Sequence, residues 1–468
     1  MRRTIPFLLA LLLSGCLSGS SNEPVDVDDP VPAADLPCEF PLFDGLRSRE
    51  VDVAVDETDR SRVAAAAMVT PPTLADAPGD GDVSLWTALA RSQDGGFTWD
   101  HAILPYWPGD TRTHPEFIGA GGFGDPILTF APDGDLYMSA IILTGLLQYN
   151  MVSMRFAGDS LQPSDITVFS RGGLGETFND VPGPNPLFYN DKNDQTVDPD
   201  SGAWYVSWMW RSNVPEMQTV PVVSRSMDGG RTWADPVQII DSPLGGLTAP
   251  DANVAPAPFI LGDSVFVVWA RGGDSVWAAQ APRDTLDFGA PYEIASLGSG
   301  GGGAGNVLNL PLVNVAVGPA PDGTGERAWL TVIRVGDGQD VGLWWSDDGA
   351  SWTGPIMPHA DTSGHQVIPT VAVAPDGRVA AQYLDFAQEG DRYHAVMSVS
   401  NDGTAWDERI MTTTPTDPAH AGDAIQGHVG DYFGNAWTSA GLFGAWQDGR
   451  DGTADDRFSE IYGCLTAA

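Results

Sequence analysis

The sequence predicts an all-β fold, a β-propeller of four-stranded antiparallel blades, with seven blades favoured over six. Three observations carry this. Four segments repeat one turn pattern: Ser92-Gln93-Asp94-Gly95-Gly96-Phe97-Thr98-Trp99, Ser226-Met227-Asp228-Gly229-Gly230-Arg231-Thr232-Trp233, Ser346-Asp347-Asp348-Gly349-Ala350-Ser351-Trp352 and Ser400-Asn401-Asp402-Gly403-Thr404-Ala405-Trp406. Each follows a run in which apolar residues alternate, the signature of a strand. A second pattern pairs two apolar runs across a Pro-Asp-Gly turn, as at Pro132-Asp133-Gly134 and Pro375-Asp376-Gly377. The spacing is that of a repeat architecture. Ser346 and Ser400 are 54 residues apart, one unit, whereas the gaps of 134 and 120 before them are two units plus an insertion.

In chain order, the N-terminus is read first as an export signal. Arg2 and Arg3 precede a short apolar stretch, Phe7 to Leu13, far too short to span a bilayer. Leu13-Ser14-Gly15-Cys16 resembles a lipobox, which implies that residues 1–16 are a lipoprotein signal and that Cys16 carries the lipid. Residues 17–36, rich in Ser, Pro and Asp, read as a flexible acidic tether. Residues 37–468 are assigned to the propeller. Its units start near Val51, Asp125, Thr196, Ala252, Val313, Val371 and Asp431, and degenerate turns near Phe156 to Gln162 and Ala281 to Gly289 stand where two turn motifs are skipped. The seventh unit has only three strands of its own. The segment Cys38 to Phe43 is expected to supply the fourth and close the ring, removing the free edges. With Cys16 lipidated, Cys38 and Cys464 remain, one at each end of the domain, and a disulfide between them is expected across the closing blade.

The turn pattern has a physical logic. The Asp carboxylate accepts hydrogen bonds from the turn's own backbone, Gly supplies positive φ, and Trp packs into the seam beside the next strand. The four segments resemble the Asp boxes, or BNR repeats, of the sialidase superfamily. The resemblance implies a structural, peripheral role for Asp94, Asp228, Asp348 and Asp402. Tyr189-Asn190-Asp191-Lys192-Asn193-Asp194 with Val197-Asp198-Pro199, and Gly430-Asp431-Tyr432 with Ala445 to Arg450, are also similar to sialidase-like proteins of bacteria and archaea. The resemblance covers most of residues 38–466. A sialidase needs three arginines to grip the substrate carboxylate, a tyrosine nucleophile paired with a glutamate, and an aspartate acid/base. It therefore implies Tyr432 and Asp125 as catalytic candidates, and Arg211, Arg271, Arg334 and Arg450 as candidate cations. The Phe/Tyr-Arg-Ile-Pro motif bearing the family's first arginine is missing. Arg47 and Arg49 stand near its place, in Leu46-Arg47-Ser48-Arg49-Glu50.

The chain carries 62 acidic residues, a formal net charge of −39 and a single lysine, Lys192. Such a surface repels nucleic acid and anionic membranes, so membrane contact is expected only through the lipid anchor. The residues leading into the inner strands are polar and are expected to line a central funnel: Asp125, Asp191, Lys192, Asn193, Asp194, Asp251, Asn253, Asn314, His365, Gln366, His428, Asp431 and Tyr432. His365, His428 and Asp431 are a candidate metal set, and calcium held by Asp and backbone carbonyls in blade turns is the candidate cofactor. No nucleotide-binding glycine motif and no Gly-x-Ser-x-Gly elbow is present. These observations together predict an exported, monomeric, lipid-anchored propeller that recognises an extracellular glycan or protein in its funnel. The alternative is an active exo-sialidase.

Overall fold

The computed structural model describes residues 38–466 except 71–85, 105–121, 144–148, 173–187, 213–218, 241–252, 299–303, 305–306, 308–309, 337, 388–389, 422–427 and 454–456. Asp251, Cys16 and the tether lie outside the described residues.

The described residues form 28 strands and no helix. The chain begins with β1 (Cys38–Pro41) and then lays down six blades as consecutive meanders. The first is β2 (Arg47–Val55), β3 (Val63–Thr70), β4 (Trp86–Ser92) and β5 (Asp100–Leu104). The second is β6 (Gly122–Phe130), β7 (Leu136–Leu143), β8 (Tyr149–Phe156) and β9 (Asp165–Ser170). The third is β10 (Phe188–Val197), β11 (Trp204–Ser212), β12 (Thr219–Ser226) and β13 (Val237–Gln238). The fourth is β14 (Asn253–Leu261), β15 (Ser264–Arg271), β16 (Ser275–Pro282) and β17 (Tyr292–Ser296). The fifth is β18 (Asn314–Pro319), β19 (Glu326–Val335), β20 (Gln339–Ser346) and β21 (Thr353–Ile356), and the sixth is β22 (Gln366–Val373), β23 (Val379–Asp385), β24 (His394–Ser400) and β25 (Asp407–Ile410). The seventh blade takes β26 (Gly434–Trp437), β27 (Leu442–Asp448) and β28 (Glu460–Thr466) from the C-terminus, and its outer strand is β1. The fold is therefore a seven-bladed propeller closed by the N-terminal strand, as expected. The β1–β28 register sets Cys38 opposite Cys464.

The four turn motifs join third to fourth strands. In the first, Asp94 accepts hydrogen bonds from the backbone N–H groups of Phe97 and Thr98 and from the hydroxyls of Ser92 and Thr98. Asp228, Asp348 and Asp402 repeat the arrangement. This network holds all four carboxyls below their ordinary range. The tryptophans then pack on the preceding blade: Trp99 lies 5.1 Å from Phe443, Trp233 stacks on Phe169 at 4.3 Å, and Trp352 meets Phe259 edge-on. The motif glycines allow the turn to approach that blade. A Cβ on Gly403 (φ +76) would sit 2.4 Å from the Trp329 ring, and one on Gly349 (φ +71) 2.3 Å from Phe266. The turns are thus seam fasteners at the periphery.

Blade seams are filled by the second strands, whose Trp204, Trp208, Trp269, Trp329 and Trp446 are among the largest fully buried side chains. The innermost strands carry an unexpected device. Five of them have a β-bulge, with Glu50, Asp125, Lys192, Ala255 or Ile368 at φ between 44 and 54°. Left-handed backbone at non-glycine residues costs roughly 1–2 kcal/mol each, so its recurrence at equivalent places marks the channel as the strained part of the ring.

Candidate functional site

These bulges move the polar residues that the sequence places in loops. Tyr189 to Asp194 lie inside β10 rather than ahead of it, and Asp125 lies within β6. The run of polar residues reads as a loop because each bulge breaks the two-residue alternation. The bulges present Glu50, Asp125 and Lys192 to one another from blades one, two and three, and Asp431 joins them from just before β26. Lys192 Nζ lies 2.7 Å from Asp431 Oδ2 and 3.5 Å from Asp125 Oδ2. Burial opposes the ammonium charge, but Asp125, Asp431 and Glu50 outweigh it and hold Lys192 firmly protonated. Burial, reinforced by Asp431, pushes the Glu50 carboxyl well up, and burial also raises Asp125.

The pocket at this level has a volume of only about 70 Å3. Its charged side is Asp52, Asp125, Lys192, Asp194 and Asp431, and its apolar side is Leu310, Leu312, Val313 and Ile368 from blades five and six. Tyr432 also lines it. Its hydroxyl is buried, with no hydrogen-bond partner among the described residues. Burial, with Asp125, Glu50 and Asp431 nearby, drives that phenol well above its ordinary range. Asp52 and Asp194 stand deeper in the channel. Burial raises Asp52 to about 7, and burial together with Asp52 raises Asp194 to about 8.

Four of the remaining sequence-predicted residues serve structural bonds. Asn253 is buried, its Nδ2 donating to Thr219 O at 2.8 Å while its Oδ1 accepts from Trp269 Nε1 at 2.8 Å. His365 Nδ1 accepts from the Gln339 N–H at 3.2 Å, and His428 Nδ1 donates to Val429 O at 3.0 Å. Arg334 reaches Met357 Sδ at 3.8 Å. Among the described residues no three His, Cys, Asp or Glu side chains gather as a metal site. Arg450 joins Glu39 and Asp448 beside the closing strand, and Arg271 covers the Trp277 ring. The fourth inferred cation, Arg211, is paired with Asp191 and lies over the Tyr189 ring. Tyr189 in turn packs on Tyr149 at 5.2 Å. These four half-buried side chains form one aromatic and charged patch where β8 and β10 begin and β11 ends.

No family model and no curated protein matches the sequence. Solved structures do align with it. A protein of unknown function from Dyadobacter fermentans is 14% identical over 94% of this chain and 100% of its own, with a TM-score of 0.48. The intramolecular trans-sialidase of Ruminococcus gnavus is 13% identical over 91% of this chain and 96% of its own, with a TM-score of 0.44. An ulvan lyase of polysaccharide lyase family 25 is 10% identical over 92% and 96%, with a TM-score of 0.47. These identities are too low to carry any residue's role across to this chain.

Sequence reasoning did not single out Asp52, Tyr149, or Glu50 as a site residue. The one available signal at the cluster was compositional: an otherwise lysine-free chain keeps Lys192.

Proposed function

We propose that this chain is an exported, lipid-anchored propeller that binds an extracellular glycan at the strand-start end of its channel, without hydrolysing sialosides. The observation that carries the reading is the patch of Tyr149, Tyr189, Asp191 and Arg211. Sugar rings pack their C–H faces on aromatic rings, and a carboxylate and a guanidinium side by side bind adjacent hydroxyls from fixed positions. Beyond the patch, the pocket at Tyr432 offers four carboxyl groups against one lysine, which opposes an anionic sugar. Its volume is also far below the ~300 Å3 at which ligand pockets begin. The support for export is the basic start, short apolar stretch and lipobox-like Leu13 to Cys16.

Protein produced from Leu36 onward and displayed against a neutral-glycan array in high salt is expected to bind. Tyr189→Ala should weaken the retained signal roughly tenfold, the loss of a packing contact worth about 1.4 kcal/mol. Binding unchanged by Tyr189→Ala and Arg211→Ala would remove the site. Turnover of 4-methylumbelliferyl sialoside that Tyr432→Phe abolishes would replace the reading with a sialidase. For the anchor, full-length protein carrying Cys16→Ser is expected to leave the membrane fraction and lose labelling by a fatty-acid probe. Labelling that persists in that variant would exclude Cys16 as the lipidated residue.

A further inference from the structure

The opposite end of the channel holds a larger space. A cavity of about 700 Å3 opens among the turns that join inner to second strands, and Asp194 and Asn314 belong both to it and to the small pocket above. Its walls mix aliphatic and acidic side chains: Val55, Leu128, Val197, Ile260, Val317 and Val373 line it from six blades, and Asp56, Glu57, Asp200, Asp263 and Glu326 line it as well. Its aromatic faces are already covered: Phe259 stacks on Phe266, Arg62 and Arg91 lie over Phe130, and Arg378 lies over Trp437.

The inner end is rich in acceptors. Behind Asp194, in the lining of the small pocket, stands Asp52, whose charge bears on it. Asn435, 7% exposed, adds a third polar group, and its Nδ2 has no partner among the described residues. The Thr370 hydroxyl lies 3.2 Å from Asn314 Oδ1 and 3.3 Å from Asn435 Oδ1, yet it has one proton to give. Turning the Asn435 amide over resolves this. Nδ2 then donates to Thr370 Oγ1, Thr370 donates to Asn314, and Asn435 Oδ1 takes the place of the unpartnered nitrogen as an acceptor. At the rim, Arg60 is tied to Glu57, and Arg283 to Asp198 and Asp200, so neither cation is free to attract an anion.

We propose that this mouth binds an organic ammonium ion with an aliphatic body, its N–H groups on Asp194 and Asn435, with Asp52 adding negative charge from behind, and its body along the valines of the wall. The site lies at the other end of the channel from the glycan patch and does not depend on it. The other titratable groups that line these two spaces with Asp194 are Asp125, Lys192, Asp431 and Tyr432 in the small pocket, and Asp56, Glu57, Arg60, Asp200, Asp263, Arg283 and Glu326 in the large one. Strands β14 and β22 bring Ala255 and Ile368, which do not titrate. With Asp194 raised to about 8 and Asp52 to about 7, a bound cation draws both down. Binding therefore releases protons and tightens as pH rises from 6 to 9, a range in which the amine stays charged.

Titration calorimetry of hexylammonium chloride into the mature protein tests this, at about 1 M NaCl to screen the acidic surface. The controls are 1-hexanol and hexanoate, which share the body and change the head. Expected are binding of the amine alone, buffer-dependent heats that report proton release, and affinity at least tenfold lower in Asp194→Asn, the loss of a charge-assisted contact. Val317→Trp, which fills the cup without touching the acids, should block binding in a folded protein. Equal binding of 1-hexanol, unaltered binding by Asp194→Asn, or no binding of the amine would each overturn the proposal.

Discussion

Replacing Lys192 by methionine is expected to cost about 3–5 kcal/mol of stability at neutral pH, the usual result of removing one partner from a buried ion cluster. The ammonium is the group on which Asp431, Asp125 and Glu50 converge, and they come from blades seven, two and one. Blades seven and one meet at the seam where the chain closes its ring, so the lost charge is felt at closure. Methionine fills the space but leaves the carboxyls with much less compensation in a site that water barely reaches. The sign with pH follows. Glu50 and Asp125 already have folded-state values above their ordinary ones. A group raised in this way binds its proton more tightly when folded, and its stabilising effect is present at low pH and lost as pH rises through the folded value. Without Lys192 those values rise further. The deficit of the variant should therefore be largest near pH 8 and shrink toward pH 4. Urea midpoints of the two proteins across that range measure it. Adding Asp431→Asn to the variant should restore more than about 1 kcal/mol, because the two positions are coupled. A variant within about 0.5 kcal/mol of the parent at pH 8, the scatter of ordinary surface substitutions, would show that the cluster contributes no net stability.

The architecture and the cluster differ sharply in how legible they were in the sequence. The blade count came from turn chemistry: Asp94, Asp228, Asp348 and Asp402 each need several backbone donors, and only a tight hairpin provides them. Such a local requirement leaves a local pattern. The closing strand was readable for a topological reason, since a three-stranded last unit requires a partner and Cys38 to Phe43 was the unassigned apolar segment. The inner-strand bulges left no pattern. Positive φ is normally announced by glycine, yet here it falls on Glu50, Asp125, Lys192, Ala255 and Ile368. Tertiary packing around the channel overrides the local preference of every one of them, so Asp191 to Asp194 read as a loop while lying in β10. Arg450 and Arg211 followed second strands as the arginines of a clamp would. What decides their partners is the arrival of Glu39 from the chain's far end and of Asp191 from the neighbouring strand, and spacing along the chain encodes neither.

Removing the bridge that we propose between Cys38 and Cys464 is expected to be the other large perturbation. The support for the bridge is the antiparallel register that sets these two residues opposite one another, together with the complete burial of Cys464. A bond there would close a loop around nearly the whole domain. On the chain-entropy account it stabilises the fold by about 6 kcal/mol, an upper figure for a chain this long. The measured loss should be smaller, because β1 has a second attachment. Glu39 is paired with Arg450, itself 2.6 Å from Asp448, and accepts hydrogen bonds from Thr413 N and Oγ1. In Cys464→Ser, β1 is therefore held by one short ladder, the packing of Phe40 on Phe443 and this polar contact. It should detach first, exposing the edge of β28. The expected signature is a drop of about 3 kcal/mol in unfolding free energy, with amide exchange rising in β1 and β28 before the other blades. Glu39→Gln added to Cys464→Ser should deepen the loss, because it weakens the remaining attachment. Peptide mapping without reductant provides the chemical check, a linked pair spanning positions 38 and 464. If both thiols react with an alkylating agent once the unreduced protein has been denatured, the bridge is absent and the ring is closed by the ladder, the Phe40 packing and the Glu39 contact.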